Sequence, residues 1–125
     1  MSEKKMPAMS VILPTWNEAG NIGPLLIALR GHLPDAELIV VDDRSADATV
    51  AEARAALPGD PNLRALIRTG ERGLAVSILD GIRAAQSEAI AVMDTDFSHD
   101  PALLPIMAAN LEHFGARNTT PNPLL

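Results

Sequence analysis

Four short apolar runs recur along the chain, each followed by a polar turn and then by residues spaced for a helix. The first, Met9-Ser10-Val11-Ile12-Leu13, is stopped by Pro14; Ile22, Leu25, Leu26 and Leu29 then sit at helical spacing, with an end near Gly31. The second, Glu37-Leu38-Ile39-Val40-Val41, stops at Asp42-Asp43. Its helix opens near Ser45 as a side-chain cap, with Asp47 in the positive first turn and Thr49 close behind, and runs through Val50, Ala53 and Leu57 to Pro58-Gly59. Leu63 to Ile67 reads as a third strand, followed by Thr69–Gly73 and a helix around Leu74–Ala85. Ala89-Ile90-Ala91-Val92-Met93 is the fourth strand and stops at Asp94. Beyond it, Asp100-Pro101 suits a helix start, Pro105 delays regular helix to near Leu104, and Gly115 closes the stretch after Phe114.

Near-continuous apolar strands alternating with helices require a parallel sheet covered on both faces, so the expected fold class is α/β, a Rossmann-like parallel sheet. With 125 residues, 47% of them hydrophobic, the chain suits one domain and not a disordered segment. The expected organisation is a leader over 1–8, the domain over 9–115 and an irregular tail over 116–125. A formal charge of −6 argues against nucleic acid or anionic lipid as partner. No apolar run reaches the ~18–20 residues of a membrane helix, and no signal peptide is present, so no transmembrane segment is expected. The absence of cysteine excludes disulfides and thiolate metal sites and suits a cytoplasmic location, the cytoplasmic membrane face included.

Ligands of such sheets bind at the carboxyl ends of the strands, so the residues that follow the strands carry the functional reading. These are Pro14-Thr15-Trp16-Asn17-Glu18, Asp42-Asp43-Arg44-Ser45 and Asp94-Thr95-Asp96. Five carboxylates would converge there and repel one another unless a cation sits among them. Asp94 and Asp96, two apart at a strand end, suit a divalent ion with oxygen ligands, Mg²⁺ or Mn²⁺. The competing reading is that aspartates simply favour turns and helix starts. No Gly-x-Gly-x-x-Gly and no Gly-Lys-Ser/Thr loop is present, which disfavours a Rossmann dehydrogenase and a P-loop NTPase. Glu18 and Asp43 are instead placed to meet ribose hydroxyls or a base N–H.

The blocks Ser10-Val-Ile-Leu-Pro-Thr-Trp-Asn-Glu, Leu38-Ile-Val-Val-Asp-Asp-Arg-Ser, Arg72-Gly-Leu, Leu79-Asp-Gly and Val92-Met-Asp-Thr-Asp-Phe-Ser resemble the family-two glycosyltransferases, in the right order from Ser10 to Pro101. Within that family they are most similar to the polyprenol (dolichol-phosphate) mannosyltransferase branch. The resemblance implies a GT-A fold, of which these blocks form the amino-terminal, nucleotide-sugar-binding half. Carried over, it implies that Pro14, Trp16, Glu18, Val41 and Asp43 hold the nucleoside of a nucleotide-diphosphate sugar such as GDP-mannose, with Trp16 replacing the usual tyrosine. It implies Asp94 and Asp96 as the catalytic pair on the metal, Thr95 between them at the donor, and Ser98 assisting the metal. Arg72 and Asp80 take a positioning role near the donor. The implied chemistry is inverting transfer of a hexose to a polyprenyl phosphate, itself an anionic nucleophile.

The final residues, Asn118 to Leu125, match nothing in that family, and the acceptor-side arginines have no counterpart, so a donor-binding half cut short is the expectation. Three other readings compete. A receiver domain would use Asp42 and Asp43 for Mg²⁺, but the pair follows the second strand and the only lysines are Lys4 and Lys5. A haloacid-dehalogenase-type phosphatase would place its Asp-x-Asp at the start of the domain. A non-catalytic nucleotide-binding module of the same fold stays open.

Overall fold

The structure, a computed structural model, describes residues 7–95. The helix expected toward Phe114, the tail, residues 1–6 of the leader, and the site residues Asp96 and Ser98 lie outside the described residues. Elements follow in the order β1 (Ser10–Thr15), α1 (Ile22–His32), β2 (Glu37–Asp42), α2 (Thr49–Ala56), β3 (Leu63–Ile67), α3 (Leu74–Ala84) and β4 (Ile90–Val92). The strands form one parallel sheet in the order β3-β2-β1-β4. The chain therefore builds outward from β1 to β3 and then crosses back over α3 to lay β4 on the other side of β1. That reversal makes the carboxyl ends of β1 and β4 a switch point, where open parallel sheets leave a crevice.

Alternation along the strands sorts residues between the two faces. Val11 and Leu13 of β1, Leu38 and Val40 of β2, and Ala91 and Met93 meet Ile22, Leu25, Leu26 and Leu29 of α1 and Ala53 of α2. Ile12, Ile39 and Val41 face the other way, with Leu66, Ile90, Val92 and the end of α3 at Ala84. The four large aliphatics of α1 are fully buried, each contributing about 1.5–3 kcal/mol. That burial holds a helix whose N-cap, Asn21, makes no side-chain cap bond.

The β1–β2 register is fixed at both ends by hydroxyl-to-carboxylate bonds. Ser10 is paired with Glu37 and Thr15 with Asp42, and in each pair the hydroxyl donates to the carboxylate at 2.7 Å.

Two local expectations are corrected. Strand β1 does not stop at Pro14 but runs through it to Thr15. Ser10 N–H and Ile12 C=O both bond toward β4, to Ala89 and Met93, so Pro14 is the next residue to face that side. Strand β4 has ended at Val92 by then, and no partner asks for the missing N–H. Helix α2 begins at Thr49, and Ser45 does not cap it. Ser45 Oγ instead donates to Asp42 and accepts from the Asn17 N–H.

Helix α3 lies on the sheet through Gly81. A Cβ there would overlap Ile12 Cγ2 and stand 3.1 Å from Ile12 Cδ1 and Val41 Cγ2. Gly81→Ala is therefore expected to destabilise the fold by about 1–3 kcal/mol despite alanine's better helix propensity. Urea denaturation checks this; a stabilised variant would show that α3 does not approach so closely.

Candidate functional site

A cleft of ≈ 460 Å³ opens at the switch point, lined by Pro14, Thr15, Trp16, Glu18, Asp43, Arg72, Gly73, Leu74, Ser77, Asp94 and Thr95. Its position follows from strand alternation. Pro14 and Trp16 continue the Ile12 face of β1, Asp43 the Val41 face of β2, and Asp94 the Val92 face of β4; all of these lie on the α3 side. The same alternation separates the adjacent aspartates. Asp42 turns to the α2 side, where it accepts from Thr15 Oγ1, Ser45 N–H and Ser45 Oγ. Asp43 turns to the cleft.

Asp43 is held from two directions. Its Oδ1 accepts from Arg68 Nη1 at 2.8 Å and its Oδ2 from the Gly73 N–H at 2.9 Å. Arg68 is 6% exposed; it also donates from Nε to Asp80 Oδ2 at 2.8 Å and from Nη2 to the Glu71 carbonyl at 3.0 Å. Burial works against ionisation of Asp43, but the Gly73 N–H and the Arg68 guanidinium overcome it, with Arg44 3.7 Å away adding attraction. The carboxyl is held below its ordinary value of 3.8. Arg68 is pushed further into its charged form, first by the Asp80 bond and then by the attraction of Asp43, against burial.

The loop after β1 is pinned by α2 and the residues before it. The N–H groups of Asn17, Glu18, Ala19 and Gly20 donate to Ser45 Oγ, Thr49 Oγ1, Asp47 Oδ2 and Glu52 Oε1. Glu52 Oε2 takes the Gly23 N–H at 2.6 Å as well. Asp47 also accepts the Thr49 hydroxyl, which, with its backbone partners, holds its carboxyl low against a small cost of burial. These acidic side chains occupy the N-terminus of α1, the place where dinucleotide-binding folds receive phosphate. That entrance is closed to an anion.

Of the residues singled out from sequence, Pro14, Trp16, Glu18, Asp43, Arg72, Asp94 and Thr95 share the cleft. Trp16 is 59% exposed at its rim, opposite a 62% exposed Leu74. Arg72 makes no hydrogen bond or ion pair among the described residues. Val41 and Asp80 are placed elsewhere. Val41 is fully buried beneath α3 against Gly81, and Asp80 turns to Arg68 and Arg83. The expected convergence of five carboxylates is also corrected. Asp42 faces the opposite side, and the cation beside Asp43 is Arg68. Among the described residues no group of three His, Cys, Asp or Glu side chains is gathered to hold a metal. Sequence reasoning quoted Thr15, Gly73 and Leu74 only as members of their segments, without a site role, and missed Ser77 and, behind them, Arg68. Arg68 directly follows β3, so the strand-end rule applied to the third strand would have found it.

Fold and cleft together define an α/β domain with a cleft at the switch point of a parallel sheet, where open sheets of this kind bind ligands. The chain belongs to glycosyl transferase family 2, with residues 10–124 matched, so the match runs on through the final residues that were expected to lie outside the family. Dolichol-phosphate mannosyltransferases from Mycosarcoma maydis and Saccharomyces cerevisiae are 34% and 38% identical to it, across 83% and 82% of this chain. The chain spans only 38% and 40% of those two relatives. A solved mannosyltransferase from Pyrobaculum calidifontis, in complex with GDP-Man and Mn²⁺, is similar with a TM-score of 0.65 at 30% identity. That likeness covers 74% of this chain and 28% of the other. The GT-A type of fold expected from sequence is thus the fold observed.

Because the Asp43 pKa is lowered on folding, its contribution to stability is present above the unfolded value and lost as pH falls through the folded one. Stability owed to this carboxylate should be flat from ~pH 8 to ~pH 5 and fall below about pH 4. Asp43→Asn should be less stable at neutral pH and show a shallower acid limb in urea denaturation across pH. An acid limb as steep as in the parent would show that Asp43 is not held this way.

Proposed function

We propose that the cleft binds a nucleotide-diphosphate sugar of the GDP-mannose kind together with a divalent metal, for inverting transfer of the hexose to a polyprenyl phosphate. The carrying observation is the juxtaposition in one switch-point cleft of an exposed aromatic face, a fixed carboxylate, an arginine that has no ion pair among the described residues, and Asp94. Trp16 offers a face for base stacking. Asp43, kept ionised, is an acceptor for base or ribose donors, and Glu18 and Pro14 complete the nucleoside wall. Val41 supports that wall from below. Arg72 and the positive end of the α3 dipole, at Gly73 and Leu74, favour the diphosphate.

Asp94 is exposed at the cleft wall beside Thr95. A carboxylate in that place suits a hard cation, Mg²⁺ or Mn²⁺, and Asp96 and Ser98, next along the chain, would extend an all-oxygen donor set. Bound there, such a cation supplies charge neutralisation for the departing nucleoside diphosphate. The acceptor is already anionic, so the chain need provide no strong base. A polyprenyl phosphate would be met at the cytoplasmic membrane face; among the described residues no helix is long and apolar enough to cross a membrane.

Trp16 is the only tryptophan and the chain has no tyrosine, so intrinsic emission reports on this cleft alone. GDP or UDP is expected to change that emission saturably, and Mn²⁺ to tighten binding by about tenfold or more. Asp94→Asn should remove the metal's effect and leave the thermal transition in place. Failure of both nucleotides to bind, with and without metal, would sink the donor-site reading. An unaltered Asp94→Asn titration would sink the metal assignment alone. Hexose transfer to a polyprenyl phosphate acceptor is the separate test of catalysis.

A further inference from the structure

The cleft wall that faces the proposed nucleoside is not self-supporting. Asp43 follows the end of β2 and Arg68 the end of β3, and the ladder that pairs Asp42 with Ile67 sets these two side by side. Arg68 does not line the cleft. Its three N–H bonds go to a strand end (Asp43), a helix (Asp80) and a loop carbonyl (Glu71). The same loop returns its Gly73 N–H to the second oxygen of Asp43. One guanidinium thus closes a ring that fixes the direction of the Asp43 carboxylate and the path of residues 69–73, which carry Arg72 to the cleft.

We infer that Arg68 is a positioning residue for donor binding, acting through Asp43 and the 69–73 loop without touching the donor. The inference rests on the donor-site reading above. Two physical effects support it. Each Asp43 oxygen gives one acceptor direction to the protein and keeps another for the cleft, so the carboxylate presents a defined acceptor and not a rotating one. Arg68 also offsets the charge of Asp43. Without it, Glu18, Asp43 and Asp94 would face an incoming diphosphate with Arg72 as the only cation among the cleft-lining residues described.

The test uses the full chain and GDP, with UDP in parallel, read by Trp16 emission with and without Mn²⁺. Arg68→Met is expected to weaken nucleotide binding by about tenfold or more. Asp43→Asn should weaken it comparably, and the double variant should lose no more than either single one, as for two residues acting as one unit. The tightening by Mn²⁺ should keep its parent value in every one of these variants, because Asp94 lies on the far strand; a general loss of structure would remove it. Asp80→Asn, at a half-exposed position on α3, removes the charge of the outer anchor of Arg68, and the exposed pair to Arg83 with it, and is expected to cost about two- to fivefold. It decides the matter if Arg68→Met does not fold. A folded Arg68→Met with parent affinity, additive losses in the double variant, or an unaffected Asp80→Asn would each overturn the role of Arg68. Absence of nucleotide binding by the parent chain would instead overturn the donor-site reading, and this inference with it.

Discussion

The arrangement of the site depends on the register of β1 against β2. Ser10–Glu37 and Thr15–Asp42 close the two ends of that ladder, and a slip by one residue would break both bonds at once. It would also turn every side chain to the other face. Asp42 would then point to the cleft and Asp43 into the α2 side, where Thr15 and Ser45, and among the described residues no arginine, stand at that position. The division of labour between two neighbouring aspartates, one holding the loops and one facing the cleft, is therefore a property of the ladder and not of either residue.

Charge at the carboxyl edge is compensated within the protein. A net charge of −6 with acids gathered at one edge would on its own call for an external cation throughout. Asp43 and Asp80 share Arg68, and backbone or hydroxyl donors satisfy Asp42, Asp47 and Glu52. The opposite edge uses the same device. Buried Glu37 takes Ser10 Oγ, the Gln86 N–H and Arg64, tying the α3–β4 turn to the sheet. Such pairing makes the electrostatic problem at the carboxyl edge smaller than the count of acids suggests.

How much was legible in the sequence follows from range. Strand and helix positions were readable because a fully buried parallel strand is apolar throughout, as in Leu38–Val41, and because α1 repeats its large residues at helical spacing. The cleft residues Pro14, Trp16, Asp43 and Asp94 were readable because strand ends in such a sheet share one edge. What failed depended on neighbours far along the chain. Pro14 ends no strand because β4, some eighty residues later, has already stopped beside it. Ser45 caps no helix because its hydroxyl meets Asn17 and Asp42. Asp80 was given a positioning role near the donor, but its partner there, Arg68, is one that helical spacing gives no hint of.

The pinned loop after β1 bears on where a diphosphate can be received. A nucleotide fold can meet phosphate with the free N–H groups of its first turn and helix, which calls for a glycine-rich loop. In this chain those N–H groups are already bonded to Ser45, Thr49, Asp47 and Glu52, and two of these acceptors are carboxylates that would repel an anion. The missing glycine motif and the acidic segment before α2 are thus two sides of one design. With that entrance filled, the proposed diphosphate site lies across the switch point, at Arg72 and the start of α3. Of the acids that seemed to call for a metal, Asp42 holds Thr15 and Ser45 and Asp43 pairs with Arg68, while two other acids, Asp47 and Glu52, close the phosphate entrance at α1; on the proposed reading, the edge beside Asp94 is then the place where a metal has a purpose.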